Sequence, residues 1–158
     1  MQGIRLIFVG KTDAKEIATL CADYLKRINR FIPIEVIELP DVKARKSLSP
    51  DEQKKREGEM ILETIGNLDE AILLDEKGKE LTSRAYAEWV EHKMQVVPRR
   101  LCLVIGGPYG FSEEVYARCR ERLSLSKMTF SHQMVRLFLI EQIYRAFTII
   151  HGHPYHHD

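Results

Sequence analysis

Short apolar runs alternate along this chain with longer segments of helical character. The runs cover residues 4–9, 34–39, 71–74, 101–105 and 123–126. Between them, apolar residues recur at helical spacing or a helix cap begins the segment, as at Ser49 and Ser112. Strands that are apolar almost throughout are typical of parallel sheets with both faces covered. We therefore predict an α/β fold, with a mostly parallel sheet and helices on both faces, and expect residues 1–158 to form a single domain.

Local signals predict three element boundaries. Asp13 and Glu16 resemble the two ends of a capping box, which predicts a helix over 13–28. The Lys-Gly-Lys sequence at 77–79 predicts that the chain turns away after the third strand. The last helix is predicted from His132 to about Ile150 and is apolar nearly all round. Because such a helix must be buried nearly all round, we predict that it packs against a second chain.

Composition restricts the class of protein. The three cysteines, at 21, 102 and 119, show no CxxC spacing, which favours reduced core thiols in a cytoplasmic protein. No apolar run approaches the length of a membrane span and no signal-like segment is present, so we expect no membrane association. Basic residues gather over 43–56 and again over 99–127. Either a solvated helix face or contact with a polyanion such as RNA accounts for them.

The sequence GGPYG at 106–110 directly follows the fourth apolar run. It matches neither GxGxxG nor a P-loop, and Glu113 and Glu114 in the next helix would repel a phosphate. Two interpretations stay open at this point: a tight structural turn, or a site for a small ligand without phosphate.

Chemistry-bearing residues gather in the last third of the chain. The segment 127–131 fits neither helix nor strand, and loops at the carboxyl ends of parallel strands are where ligands bind. Glu141 and Arg145 form an i,i+4 pair, whose role is either structural or catalytic. No nearby cysteine or well-spaced acid completes a metal site with the histidines of the tail HGHPYHHD, so we predict no metal. Tyr155 with its neighbouring imidazoles suits stacking on an RNA base.

Taken together, these motifs resemble the SPOUT methyltransferases, and more narrowly the bacterial ribosomal large-subunit pseudouridine N3-methyltransferases. The resemblance runs from end to end and is carried by motifs at 9–10, 24–27, 37–40, 57–59, 74–79, 105–110, 123–126, 132–136, 141–146 and 153–156. Two departures stand out: Ser131 where the family often has proline, and His157 where it often has Arg or Lys.

The resemblance implies a C-terminal trefoil knot, an exception to the rule against knots, and a homodimer. It also implies S-adenosyl-L-methionine as cofactor and a ribosomal substrate, N3 of a pseudouridine in the helix 69 loop of 23S rRNA. The cofactor-binding residues carried over are Leu74, Gly106, Gly107, Leu125, Ser126, Lys127, Met128, Thr129 and Phe130.

For catalysis we expect His132, Glu141, Tyr155 and His156, with His132 or Glu141 taking the N3 proton. RNA contacts are expected from Arg136, Arg145 and His157. Two other functions stay open: a ribosome-associated factor that has kept the fold without the chemistry, and a flavodoxin-like nucleotide binder, which the paired acids at 113 and 114 disfavour.

Overall fold

The computed structural model describes residues 1–42 and 47–158. Five strands and five helices follow one another in the order β1 (Gly3–Val9), α1 (Lys15–Ile28), β2 (Ile34–Leu39), α2 (Pro50–Thr64), β3 (Glu70–Glu80), α3 (Ser83–Val96), β4 (Arg100–Ile105), α4 (Glu113–Arg118), β5 (Glu121–Ser124) and α5 (Met134–Ile150). The strands form one sheet in the order β2-β1-β4-β3-β5, and every pairing is parallel. The predicted parallel α/β fold is confirmed.

The sheet is covered on both faces because side chains alternate across each strand. In β1, Ile4, Leu6 and Phe8 join the core shared with α1, α3 and α5. Ile7 and Val9 join the opposite core, shared with α2 and α4. Both sets are buried, which explains why β1 reads as a nearly continuous apolar run rather than an alternating one.

Helix caps follow the sequence in two places and depart from it in one. The Ser49 and Ser112 hydroxyls each accept a hydrogen bond from the backbone N–H three residues on, at 3.2 and 3.4 Å, as predicted. The predicted capping box at the start of α1 is wrong, because Ala14 is the N-cap and its side chain makes no capping hydrogen bond. The Ala14 N–H instead donates to Gln133 Oε1 at 3.1 Å, so a tertiary contact replaces the local one.

The turn predicted at 77–79 is also wrong. The pairing of β3 with β5 shifts register between Leu74 and Lys79, which both partner Leu123, and then continues to Glu80, so the chain does not leave the sheet there. Gly78 permits this, since a Cβ there would lie 2.6 Å from the carbonyl carbon of Leu123.

The last helix begins two residues later than predicted, at Met134. One side of α5 packs on α1 and α3, whereas Met134 and Phe138 are 37% and 39% exposed. Within one chain α5 is therefore not buried all round, and burial by a second chain stays a prediction. Gln133 is the N-cap of α5, and Ser131 Oγ, on the serine that departs from the family pattern, accepts from the N–H of the first helical residue, Met134, at 3.2 Å.

The remaining sequence expectations concern composition. All three cysteines are buried and free, as predicted for core thiols. The basic residues Lys43, Arg45 and Lys46 lie outside the described residues. In the part of the chain that the structure describes, no helix is both long and apolar enough to cross a membrane.

Candidate active site

A cleft opens at the carboxyl ends of β3, β4 and β5, with a cavity volume of about 840 Å³. Its walls are the end of the apolar part of β3, the glycine turn after β4 and the loop after β5. The predicted cofactor residues that line it are Leu74, Gly106, Gly107, Leu125, Ser126, Met128, Thr129 and Phe130. Lys127 does not line the cleft: its side chain is 87% exposed and its Nζ lies 3.8 Å from Glu80 Oε1.

Close packing beneath the cleft explains the glycines at 106 and 107. A Cβ on Gly106 would lie 2.8 Å from Cε1 of Phe111, and one on Gly107 would lie 2.4 Å from Oε1 of Glu57. Glu57 is a buried residue of α2. Gly110 closes the turn with φ of +81°, and its N–H donates to the Gly107 carbonyl at 3.2 Å. Phe111 and Glu57 therefore pack against the backbone of the turn, and the turn itself lines the cleft.

Carboxylates mark the rim of the cleft. Asp75 and Glu76 line it together with Lys77. Tyr116 donates to Asp75 Oδ2 at 2.7 Å, and burial together with this carboxylate raises the pKa of Tyr116 to about 12. A site of this volume lies in the range of small-molecule pockets. Its acids suit a ligand with positive charge, which fits S-adenosyl-L-methionine, a molecule with a sulfonium and no phosphate.

His132 is exposed and lines the same cleft, in the connection just before α5. The predicted proton acceptor and the predicted cofactor segment therefore meet at one edge of the sheet. This is where functional groups gather in open α/β sheets.

Arg136 lies elsewhere, and its position argues against the predicted RNA contact. Its side chain is only 2% exposed and points to the end of β1. There the guanidinium donates to the carbonyls of Val9 at 2.8 Å and Gly10 at 3.1 Å, and to the Thr12 hydroxyl at 2.9 Å. Burial lowers the pKa of Arg136, while the Glu38 carboxylate at 3.6 Å opposes that effect. A guanidinium enclosed in this way joins α5 to the loop after β1, and its burial does not favour the predicted RNA contact.

The other predicted catalytic residues form a second group, which we call the tail cluster: Glu141, Arg145, Tyr155 and His156. Glu141 Oε1 accepts from Arg145 Nη2 at 2.5 Å and from the Tyr155 hydroxyl at 3.0 Å. Arg145 Nη1 lies 3.1 Å from His156 Nδ1, and its guanidinium stacks 4.8 Å from the centre of the Tyr155 ring. The i,i+4 pair thus serves as the anchor of the tail.

The tail cluster is set apart from the cleft along α5. Glu141 lies seven residues after the first residue of α5, which is about 10 Å along the axis at a rise of ~1.5 Å per residue. His157, the remaining predicted RNA contact, is exposed beyond the cluster.

Sequence reasoning missed three residues that support these groups. Glu57 stands in a motif that carried the resemblance, but nothing in the sequence shows that it lies beneath Gly107. Arg84 and Asp158 pair across α3 and the tail, and no sequence signal links two positions so far apart. In the described ranges, 1–42 and 47–158, no group of three or more His, Cys, Asp or Glu is placed to hold a metal ion.

The fold and the cleft define an α/β protein with an acid-rimmed cleft of small-molecule size at the carboxyl edge of a parallel sheet. Comparison with protein families is more specific. Residues 1–156 match the family model described as "Predicted SPOUT methyltransferase".

Curated relatives agree over nearly the whole chain. Three of them carry the name Ribosomal RNA large subunit methyltransferase H. That of Parabacteroides distasonis is 53% identical over 155 residues, covering 98% of this chain and 99% of the relative. That of Christiangramia forsetii is 51% identical over 154 residues, 98% of each chain, and that of Bacteroides thetaiotaomicron is 51% identical over 153 residues, 97% of this chain and 98% of the relative. The chain therefore belongs to the SPOUT methyltransferase family and groups with these relatives, which confirms the resemblance. The knot that the family implies stays a prediction.

Proposed function

We propose that this protein transfers a methyl group from S-adenosyl-L-methionine to N3 of a pseudouridine in the helix 69 loop of 23S rRNA. The observation that carries the proposal is the cleft, where the glycine turn, Leu74 and the segment 125–130 share one edge of the sheet with His132. The relatives named as ribosomal RNA large subunit methyltransferases support the substrate class.

S-adenosyl-L-methionine, when bound, supplies an electrophilic methyl carbon on a positively charged sulfur. The glycine turn lets a ligand lie directly against the backbone, since a side chain at 106 or 107 would collide with Phe111 or Glu57. The carboxylates of Asp75 and Glu76 favour positive charge at the rim. The glycine turn therefore binds and orients the cofactor, and the carboxylates at the rim favour its positive charge.

N3 carries a proton that must leave before or during attack on the methyl carbon, so the site needs a proton acceptor. His132 meets this need best because it lies at the cleft and is exposed to an incoming base. Glu141 is less suited, since Arg145 and Tyr155 already occupy one of its oxygens and Gln142 Nε2 donates to the other at 3.0 Å. Glu141 therefore acts as an anchor for the tail.

Tyr155 and His156 are proposed to stack on or orient the target base. Burial, with hydrogen bonds to Tyr24 and Glu141, raises the pKa of Tyr155, so its hydroxyl stays protonated and acts as a donor. Arg145 and the exposed His157 are the proposed RNA contacts near this base.

We also propose that the chain forms a single domain that acts as a homodimer in the cytoplasm. The exposed apolar side chains of Met128, Met134 and Phe138 lie on the cleft loop and the first turns of α5, a surface whose burial would favour association. Such a dimer would cover the side of α5 that its own chain leaves open.

The proposal is tested by supplying S-adenosyl-L-methionine with a tritiated methyl group to ribosomes that lack their native methylations. Gly107→Ala is expected to weaken cofactor binding, measured by calorimetry, at least tenfold, because the new Cβ would collide with the buried Glu57. Gly152→Ala is the control for a glycine outside the cleft: nothing lies within 4 Å of its added Cβ, although its φ of +69°, unlike that of Gly107, is positive. Cofactor binding without any tritium transfer would favour a ribosome-associated factor without catalytic activity.

A further inference from the structure

A bidentate ion pair between Arg84 and Asp158 joins the tail to α3. Arg84 Nε lies 2.7 and 2.8 Å from the two carboxylate oxygens of Asp158, and Arg84 Nη2 lies 2.6 Å from Oδ2. Both partners are exposed, at 56% and 65%. Arg84 and His156 hold the pKa of Asp158 below its usual value, as expected of a carboxylate that accepts from both.

His156 lies between this carboxylate and Arg145, and the chemistry of its neighbours fixes its hydrogens. A guanidinium only donates hydrogen bonds. His156 Nδ1, which is 3.1 Å from Arg145 Nη1, must therefore accept. The proton of the neutral ring is then on Nε2, which donates to Asp158 Oδ1 at 3.0 Å. Both ring nitrogens are engaged, and the ring is held in one orientation and one tautomer.

We propose that Arg84 and Asp158 are positioning residues: the Asp158 carboxylate, held by Arg84, accepts from His156 Nε2 and, together with Arg145 at Nδ1, fixes the ring in one orientation, so that His156 meets the target base with its ring face and does not accept its proton. The inference rests on the proposed function, because it concerns the side chain that we place against the base. It goes further by assigning the N3 proton to a group outside the tail and by giving α3 a role in the reaction.

The first test reads the tautomer directly. Nitrogen-15 NMR of histidine-labelled protein at neutral pH separates protonated from unprotonated ring nitrogens. His156 is expected to show a protonated Nε2 and an acceptor Nδ1. Asp158→Ala should shift the His156 Nε2 signal by removing the acceptor of its hydrogen bond, whereas Asp158→Asn, which keeps an acceptor oxygen, should leave that signal near its wild-type position. A wild-type His156 with its proton on Nδ1, or on both nitrogens, would overturn the proposal.

The second test separates positioning from folding. Arg84→Gln and Asp158→Ala are each expected to lower kcat/KM for the RNA by about two- to fivefold, the scale of an exposed ion pair with good geometry. Since the two side chains act as one unit, the double variant should lose no more than the larger single loss. Cofactor affinity and the thermal midpoint should stay at wild-type values. Glu91→Ala, an exposed acid on the same helix, is the matched control and should change nothing.

The two tests fail separately. If the wild-type protein methylates no RNA, the proposed function fails but the NMR experiment still decides the tautomer. If methylation proceeds and the variants show additive losses, or a lower thermal midpoint that explains their rates, the positioning role is refuted while the proposed function stands.

Discussion

Replacing Arg136 with Met tests whether this guanidinium is structural. The substitution keeps most of the side-chain length and removes three charge-assisted hydrogen bonds, to Val9, Gly10 and Thr12. Such bonds contribute about 1.5–3 kcal/mol each. The net loss is smaller than the sum of the three bonds. The substitution removes the desolvation penalty of a buried cation, and it removes Arg136 Nε, a buried donor with no partner among the described residues. The remaining cost is about 3–5 kcal/mol, as for breaking other buried ionic contacts.

For a chain of 158 residues that cost corresponds to a thermal midpoint lower by about 6–20 °C. Calorimetry or circular dichroism measures the thermal midpoint. Arg30→Met, at an exposed arginine between α1 and β2, is the control. Exposed substitutions usually stay within about 0.5 kcal/mol. If Arg136→Met melted with the wild type but bound RNA more weakly and with a shallower salt dependence, the side chain would be a phosphate contact and the structural assignment would be wrong.

Three further predictions concern catalysis, assembly and acid stability. His132→Ala should lower methyl transfer about 10²-fold or more while cofactor affinity changes little; equal losses in both would refute the catalytic role. Phe138→Asp should shift the protein toward monomer in light scattering, whereas Leu68→Asp, another exposed apolar position, should not; an unchanged mass would place the dimer contact elsewhere. Burial alone would raise the pKa of Asp69, but Arg100 and the Gly66 N–H outweigh it and hold this pKa below 3.8. Stability is therefore present above pH 3.8 and is lost as the pH falls through the folded-state value, so Asp69→Asn should flatten the acid side of the stability profile; an identical profile would contradict this.

The sheet could be predicted because β1 and β4 carry the signal of double-sided burial in their own residues. Leu101 and Leu103 are buried on one face of the sheet and Cys102 on the other. A strand buried on both faces needs apolar residues at successive positions, which produces the continuous apolar run. The start of α1 could not be predicted in the same way. There the N–H of the N-cap residue Ala14 donates to Gln133 Oε1, 119 residues away, and local capping rules do not predict such a contact.

In the candidate site, too, local motifs could be predicted from the sequence, whereas contacts between distant residues could not. The glycine turn and the loop 125–130 are local motifs, and all of their predicted cofactor residues except Lys127 line one cleft, while their role in binding stays a prediction. The burial of Arg136 was missed because an arginine one turn from a histidine looks the same whether it faces solvent or the end of β1. The Arg84–Asp158 pair was missed because two exposed charges on different elements leave no pattern.

The central claim is tested most directly by mass spectrometry of ribosomal RNA. Ribosomes lacking their native methylations are incubated with the protein and S-adenosyl-L-methionine, and RNA fragments are then analysed. We expect one added methyl group, on N3 of a pseudouridine in the helix 69 loop of 23S rRNA, and none with His132→Ala. A methyl group on another nucleotide, or none although the pseudouridine is present and the cofactor binds, would contradict it.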